Sequence, residues 1–348
     1  MFRFSLPETP LLWLNRLESK VFQVEGLKRM AGADIRADLW LTEVITPWDM
    51  YMHGANKVLA YRKTQFQEMY IVESGSFGKA LMLDGKWQSA QRDEFLYHEG
   101  LVHPPLILHG DPKKVLILGG AEGATIREVL RWKGVERIVM VDIDGEVVDA
   151  CRELLPEMHQ GAFDDPRVEL IIDDAQKFIE TTDEKWDAIL SDLTDPIESG
   201  PAFPLFTQEH YQQVSQILSP NGVLVVQSGP LFLSELYIHA RLANTVKSVF
   251  PFAQSALCYA TSYGLPLSFV LASNQAFPTT PDPVESDRIL AEKTTGGLRM
   301  MDGRTLLGML QAPLHIRQMV EAETEIYTLK NPPRPVGRGS MEGEYDPS

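Results

Sequence analysis

Acidic residues follow several hydrophobic runs of the sequence, where carboxylates at strand ends could hold a positively charged or hydroxylated ligand. They are Glu122 just after KVLILGG, Asp142 after RIVMV, Asp173 or Asp174 after VELII, and Asp192 with Asp195 after AILS. In an open α/β sheet, ligands bind outside the carboxyl ends of the strands, near the point where the strand order reverses. We therefore expect these acids to converge on one cleft.

The glycine turn GGAEGA, residues 119–124, carries a glutamate where many such turns receive a pyrophosphate. It is a degraded match to G-x-G-x-x-G, with Gly119, Ala121 and Ala124 at the glycine positions. Glu122 would repel a pyrophosphate, but it suits a nucleoside that has no phosphate and carries a positive charge, such as a sulfonium. Glu122 could equally be a first-turn helix residue that complements the helix dipole.

The other acids fit distinct roles around such a ligand. Asp142 lies about 20 residues beyond the glycine turn, where an acid typically holds ribose hydroxyls, with Asp144 as the less favoured choice. Asp192 and Asp195 can converge on one bound group, one as a general base and the other as an ammonium anchor. A strand-end Asx turn explains one of these two more easily than both. The Pro-containing residues 196–204 predict a long lid loop.

The sign of these charges separates two sulfonium compounds. S-adenosylmethionine has a carboxylate on its amino-acid tail, which a ring of acids would repel. The decarboxylated form has only an ammonium there, and a diamine acceptor adds further positive charge. We therefore expect a cleft without a lysine or arginine that could meet a carboxylate.

Composition excludes several classes of protein. The formal charge of −16 argues against a nucleic-acid partner. The sequence has no apolar run of about 18 residues and no recognisable leader, so we expect a cytoplasmic protein without a membrane span. Cys151 and Cys258 stand apart without CxxC spacing and are expected to be packing residues. HExxH, GxSxG and GxxxxGK[ST] motifs are absent, and we expect no metal site.

The hydrophobic pattern changes along the chain. Residues 36–90 alternate in short runs, which predicts antiparallel strands, and a helix follows that we expect to end at Pro104 and Pro105. From residue 114, apolar strands alternate with helices, which predicts a mainly parallel sheet covered on both faces. The predicted organisation is an N-terminal extension (1–35), a β-strand domain (36–110), a catalytic α/β domain (111–330) and a flexible tail (331–348).

These features resemble the polyamine aminopropyltransferases, the spermidine synthases and their relatives. The similarity runs from about residue 60 to 275, through YRKTQFQEMYIVES, LMLDGKWQSAQRDEFLYHEGLVHPPL, VLILGGAEGATIREVL, VMVDIDGEVV and LSDLTDP. The resemblance implies a Rossmann-like sheet of the S-adenosylmethionine-methyltransferase type with a small N-terminal antiparallel β domain. It also implies aminopropyl transfer from decarboxylated S-adenosylmethionine, as co-substrate, to putrescine or another polyamine. Methylthioadenosine is then the product, no prosthetic group is used, and the enzyme is a homodimer.

The resemblance further assigns roles to individual residues. Those implied to bind the decarboxylated co-substrate are Gln67 and His98 by contact, Glu122 at the aminopropyl end, Asp142 at the ribose, and Asp174 with Ala175 at the adenine. Asp192 is implied to be the proton acceptor. Those implied to bind the acceptor are Asp195 at the amine and Gln88, Tyr97 and Tyr263 along the channel. By spacing alone, Tyr97 and His98 are ordinary residues of a half-buried helix.

Two departures from the family pattern leave alternatives open. GGAEGA replaces the family's usual GGGDGG, so Glu122 must reach its partner from slightly further back. DLTDPIESGPA is closer to the thermospermine synthase loop than to the DSSDP of many putrescine-specific enzymes. We expect a spermidine synthase, with a thermospermine or spermine synthase as the alternative. An S-adenosylmethionine-dependent methyltransferase and a non-catalytic polyamine-binding protein are less favoured.

Overall fold

The computed structural model of the chain describes residues 21–22, 36–45, 49–194 and 202–332. The expected N-terminal extension and tail therefore lie almost entirely outside the described residues, as do Asp195 and most of the expected lid loop. The described residues form two sheets. Among these residues, no helix is long and apolar enough to cross a membrane.

The first sheet is antiparallel and has six strands, each beside the next one in the chain. Its strands are β1 (Val21–Phe22), β2 (Leu39–Val44), β3 (Met50–Lys63), β4 (Glu68–Ser74), β5 (Gly78–Leu83) and β6 (Lys86–Ala90). Between β5 and β6, Asp84 and Gly85 both have positive φ, 47° and 76°. This is the geometry of a two-residue type I′ turn, for which Asp-Gly is a preferred sequence.

The second sheet has seven strands and is mainly parallel, as predicted. Its strands are β7 (Lys114–Gly119), β8 (Arg137–Asp142), β9 (Val168–Ile172), β10 (Trp186–Asp192), β11 (Leu218–Pro230), β12 (Phe252–Cys258) and β13 (Leu267–Ser273). The spatial order is β12-β13-β11-β10-β7-β8-β9. The five strands from β11 to β9 are parallel, and β13 and β12 add two antiparallel pairings at one side.

Hydrophobic cores lie on both faces of this sheet. In β7, Val115 and Ile117 enter one core while Leu116 and Leu118 enter the other. Successive side chains of a strand point to opposite faces, so an unbroken apolar run serves two cores. The described helices are α1 (Glu94–His109), α2 (Ala124–Leu130), α3 (Gly145–Leu154), α4 (Pro156–His159), α5 (Ala175–Thr181), α6 (Gln208–Ile217), α7 (Leu236–Lys247), α8 (Pro283–Lys293), α9 (Gly303–Met309) and α10 (Leu314–Ala322).

The expectation that Pro104 and Pro105 end the first helix is wrong, because α1 continues through both to His109. A proline inside a helix costs about 3 kcal/mol through a lost hydrogen bond and a steric clash. Twelve of the 16 residues of α1 are buried, both prolines among them. Each fully buried large apolar side chain contributes about 1.5–3 kcal/mol, so packing outweighs the local cost.

The strand order reverses between β7 and β10. From β7 the chain proceeds to β8 and β9 on one side, and from β10 it proceeds to β11 on the other. At the carboxyl ends of this pair, Gly119 lies directly beside Asp192. Gly119 has a φ of +81°, and a Cβ there would lie 2.3 Å from the Asp192 carbonyl oxygen. Only glycine permits this approach.

Gly119→Ala is expected to destabilise the fold much more than Gly110→Ala. Both glycines have positive φ, at +81° and +89°, but an added Cβ at Gly110 meets nothing within 4 Å. Gly110→Ala therefore tests backbone strain alone, at about 1 kcal/mol, whereas Gly119→Ala adds a clash with the backbone of β10. Thermal and urea unfolding of both variants measure the difference. Equal losses of stability would contradict the close approach.

Candidate active site

A cavity of about 510 Å³ lies at this reversal point, between the carboxyl ends of the parallel strands and the six-stranded sheet. The volume is in the usual range for a small-molecule site. Every described residue to which the family resemblance assigned a role lines the cavity, except His98. The lining residues from that prediction are Gln67, Gln88, Tyr97, Glu122, Asp142, Asp174, Ala175, Asp192 and Tyr263.

Glu122 lies at the cavity wall and is held from behind by His98. His98 is fully buried on α1, and its Nε2 is 2.9 Å from Glu122 Oε1. Its Nδ1 is 2.8 Å from Glu94 Oε2. The ring is thus placed between two carboxylates and behind the cavity wall. Glu122 also precedes Gly123, the N-cap of α2, so it is not a first-turn helix residue.

The two carboxylates keep His98 positively charged. Burial disfavours that charge, but the hydrogen bonds to Glu122 and Glu94 outweigh it and raise the pKa of His98 well above its usual value. The same contact lowers the pKa of Glu122 despite burial. The cavity wall therefore presents an ionised carboxylate whose charge is balanced from the protein side.

A second buried cation supports this arrangement, and sequence reasoning missed it. Arg127 on α2 donates from Nη1 and Nη2 to the two oxygens of Glu94, both at 2.9 Å. Its Nε also donates to Glu128 at 2.8 Å. Glu94 precedes His98 by four residues, a spacing that places both on one face of a helix. That spacing could have predicted the contact between Glu94 and His98, whereas the link to Arg127 depends on how α1 and α2 pack.

Asp192 ends β10 with its carboxylate in the cavity, and it accepts two hydrogen bonds. Tyr97 Oη donates to Oδ1 at 2.8 Å, and Thr125 Oγ1 donates to Oδ2 at 2.5 Å. Burial and the charge of Glu122 raise the pKa of Asp192 above its ordinary value. A buried carboxylate with a raised pKa and directional contacts has the properties of a general base. Thr125 is a contact that the sequence analysis did not anticipate.

Asp142, Asp174 and Gln67 form the part of the lining where the nucleoside was expected. Burial, together with the charges of neighbouring acids including Asp144, raises the pKa of Asp142 to about 7. Asp174 caps α5 and accepts from the Gln176 amide at 2.8 Å. Asp144 is buried, caps α3 and does not line the cavity, so Asp142 is the better placed of the two acids.

Gln67 lines this region of the cavity, whereas Asp173 does not. Gln67 Nε2 donates to Asp144 Oδ2 at 3.1 Å, which links the six-stranded sheet to the end of β8. Asp173 pairs with Lys177 at 2.6 Å and does not line the cavity. Of the two alternatives after β9, Asp174 is therefore the one that reaches the site.

Aromatic side chains form the wall beside Asp192. The rings of Tyr97 and Tyr263 meet edge to face with centroids 6.0 Å apart. Tyr263 Oη donates to the backbone carbonyl of Gln88. This contact joins the segment between β12 and β13 to β6 and places aromatic surface next to a carboxylate. Aromatic surface beside an acid suits a ligand that has both methylene groups and a positive charge.

The expectation of a cleft without basic side chains is wrong in one respect, because Lys86 lines the cavity. Its Nζ donates to the Val44 carbonyl at 2.6 Å and lies 3.7 Å from Glu43 Oε1. Sequence patterns could not place β2 beside the start of β6, so this pair was not foreseen. Among the described lining residues, Lys86 is the only lysine or arginine, and Glu43 already neutralises it.

The lining can bind cations and remove a proton from one of them. Glu122, Asp142, Asp174 and Asp192 supply negative charge, and Tyr97 and Thr125 fix the orientation of Asp192. Within the described part of the chain, no group of three or more metal-ligating side chains could hold a metal ion.

Comparison with known proteins shows the family of this chain. Residues 94–281 match the family model described as the spermine/spermidine synthase domain, and residues 39–91 match the spermidine synthase tetramerisation domain. The chain belongs to the spermine/spermidine synthase family. It is therefore an enzyme, and the resemblance seen in the sequence motifs is confirmed.

The matches to related proteins of this family cover nearly the full length of those proteins. The chain is 55% identical to a polyamine aminopropyltransferase of Synechococcus sp. strain JA-3-3Ab, over 85% of this chain and 97% of the relative. It is 43% identical to one from Sulfurisphaera tokodaii, over 84% of this chain and 97% of the relative. A spermidine synthase solved with the transition state analogue AdoDATO is similar in fold, with a TM-score of 0.76 and 30% identity. That match covers 83% of this chain and 97% of the other.

Asp142→Asn is expected to stabilise the unliganded enzyme more at pH 8 than at pH 5. The folded-state pKa of about 7 lies above the ordinary 3.8, so the folded protein binds a proton that the unfolded chain releases. Stability is therefore lost as pH rises through this interval, and asparagine removes that loss. The substitution should raise the free energy of unfolding at both pH values, and we expect this gain to be larger at pH 8 than at pH 5 by at least about 1 kcal/mol.

Urea unfolding at both pH values measures this effect. Asp149→Asn, at an exposed position of α3, is the control for removal of one negative charge. A loss of stability at pH 8 in Asp142→Asn, or an equal change at both pH values, would contradict the prediction.

Proposed function

We propose that this enzyme transfers the aminopropyl group of decarboxylated S-adenosylmethionine to putrescine, giving spermidine and methylthioadenosine. The observation that carries the proposal is the pairing of two carboxylates with different roles in one cavity. Glu122 is kept ionised by His98, and Asp192 has a raised pKa and is oriented by Tyr97. The names of the relatives and the bound analogue of the structural neighbour support it.

The donor would occupy the part of the cavity lined by Gln67, Asp142 and Asp174. Asp142 would accept hydrogen bonds from the ribose hydroxyls, with Asp174 and Ala175 beside the adenine. Glu122 would hold the ammonium of the aminopropyl tail. A carboxylate on that tail, as in S-adenosylmethionine, would face Glu122 and be repelled, which disfavours a methyltransferase.

In the proposed reaction, Asp192 accepts a proton from the attacking amine of putrescine. The nitrogen lone pair attacks the aminopropyl carbon bonded to sulfur, the new C–N bond forms, and the C–S bond breaks with its electrons returning to sulfur. The sulfonium charge disappears, so methylthioadenosine leaves as a neutral thioether. The protein contributes positioning and deprotonation. Asp195 and the loop that follows it would hold the second amine and cover the site, and both lie outside the described residues.

A product assay tests this function. The purified enzyme is incubated with decarboxylated S-adenosylmethionine and putrescine, cadaverine or spermidine, and the products are identified by mass. Spermidine from putrescine supports the proposal, and a tetraamine formed preferentially from spermidine would replace it by the alternative acceptor. Tighter binding of S-adenosylhomocysteine than of methylthioadenosine, without any amine product, would indicate a methyltransferase.

We also propose that the enzyme is a homodimer or a larger homo-oligomer that associates through the six-stranded sheet. The match of residues 39–91 to a tetramerisation domain supports association. Apolar side chains exposed on β3, among them Met50 and Tyr61, leave apolar surface on this sheet that a second copy could cover. A monomer mass from light scattering of the full chain would contradict it.

Asp192→Asn is expected to lower kcat by about 10²–10⁴-fold, the usual contribution of a positioned general base. Methylthioadenosine affinity should change little, because Asn retains an acceptor for Tyr97 or Thr125. Asp187→Asn is the matched control at the other end of β10, where the carboxylate accepts from the Lys113 and Lys114 amides. Steady-state kinetics at saturating substrates measure the effect. Near-normal kcat in Asp192→Asn would remove this residue from the mechanism.

A further inference from the structure

Lys86 lines the cavity but has no role in the proposed reaction. It begins β6, and its carbonyl accepts from Gln88 Nε2 at 3.2 Å. Gln88 in turn receives the hydrogen bond of Tyr263, whose ring packs on Tyr97 beside Asp192. The contacts run from the reacting carboxylate along the aromatic wall to Lys86. The backbone of Lys86 is thus connected to the aromatic wall, the side of the cavity that the proposed function assigns to the acceptor.

Glu43 is the carboxylate that meets Lys86 there, and the structure leaves it little spare capacity. One oxygen is 3.7 Å from Lys86 Nζ. The other is 3.3 Å from His53 Nε2 and 3.4 Å from the Trp87 amide nitrogen. The His53 and Trp87 rings stack at 4.1 Å, which fixes this corner of the wall. The side chains of Glu43 and Lys86 are only 10% and 23% exposed, so solvent screens their interaction weakly.

We propose that Lys86 is a specificity-determining residue: its ammonium occupies Glu43 at the acceptor side of the cavity and disfavours acceptors that carry a further positive charge. A diamine that has lost a proton at Asp192 retains one ammonium, whereas a triamine retains two. The additional ammonium would meet Lys86 instead of a free carboxylate. This inference rests on the proposed aminopropyl transfer and assigns the choice of amine to one ion pair.

The experiment separates charge from length. Acceptors are putrescine, spermidine, and two isosteres of spermidine in which either terminal amino group is replaced by methyl. Each isostere keeps the length of spermidine but lacks one charge. We expect the unmodified enzyme to use at least one isostere with a higher kcat/KM than spermidine. Equal or better use of spermidine would overturn the proposal, and this test needs no variant that must fold.

Lys86→Met is the direct test. We expect the kcat/KM ratio of spermidine to putrescine to rise about tenfold or more, equivalent to about 1.4 kcal/mol. Lys86→Arg keeps the charge and should keep the ratio. Lys79→Met is the matched control, because Lys79 lies on β5 of the same sheet and pairs with Glu157 at 2.8 Å away from the cavity lining.

The possible outcomes separate a failure of this inference from a failure of the proposed function. An unchanged ratio in Lys86→Met overturns the role of Lys86 while transfer to putrescine stands. A similar rise in Lys79→Met would assign the effect to general charge and also overturn it. Absence of aminopropyl transfer by the unmodified enzyme to any of these amines refutes the proposed function itself.

Discussion

The parallel pairing of β7 with β10 is the constraint on which the site depends. It brings Gly119 beside Asp192 at the point where the strand order reverses. The backbone contact is so close that a side chain at Gly119 has no room. The turn that follows β7 carries Glu122, which lines the same cavity as Asp192. Two carboxylates from distant parts of the sequence thus share one cavity because two strand ends share one edge.

Concentrating acids in a cavity is costly unless their charges are balanced. The acids of this cavity differ in how their charges are balanced. Glu122 receives a buried counter-charge from His98, and its pKa is lowered. Asp192 receives neutral hydroxyl donors instead; burial and the charge of Glu122 outweigh them and raise its pKa. Two carboxylates in one cavity thus differ in pKa because their surroundings differ.

Much of this arrangement could be predicted from the sequence. Strand-end acids after parallel strands identify the cavity edge, and Glu122, Asp142, Asp174 and Asp192 all line it. The periodicities also predicted both sheets. These are properties of local sequence that the fold transmits directly.

Features that depend on packing between distant segments could not be predicted in this way. The pair of Glu43 with Lys86 requires knowing that β2 lies near β6, and the contact of Arg127 with Glu94 requires the packing of α1 on α2. The passage of α1 through Pro104 and Pro105 reverses a strong local preference, because burial along the helix decides. Asp195 and the loop after it stay predictions.

Adjacent residues on α1 contact the two carboxylates that share the cavity. Tyr97 contacts Asp192, while His98 contacts Glu122. Because one rigid helical turn carries both, a displacement of α1 that adjusts one contact adjusts the other. The positions of the two carboxylates are therefore tied to one element: a movement of α1 that followed Glu122 would also reorient the Tyr97 hydroxyl against Asp192.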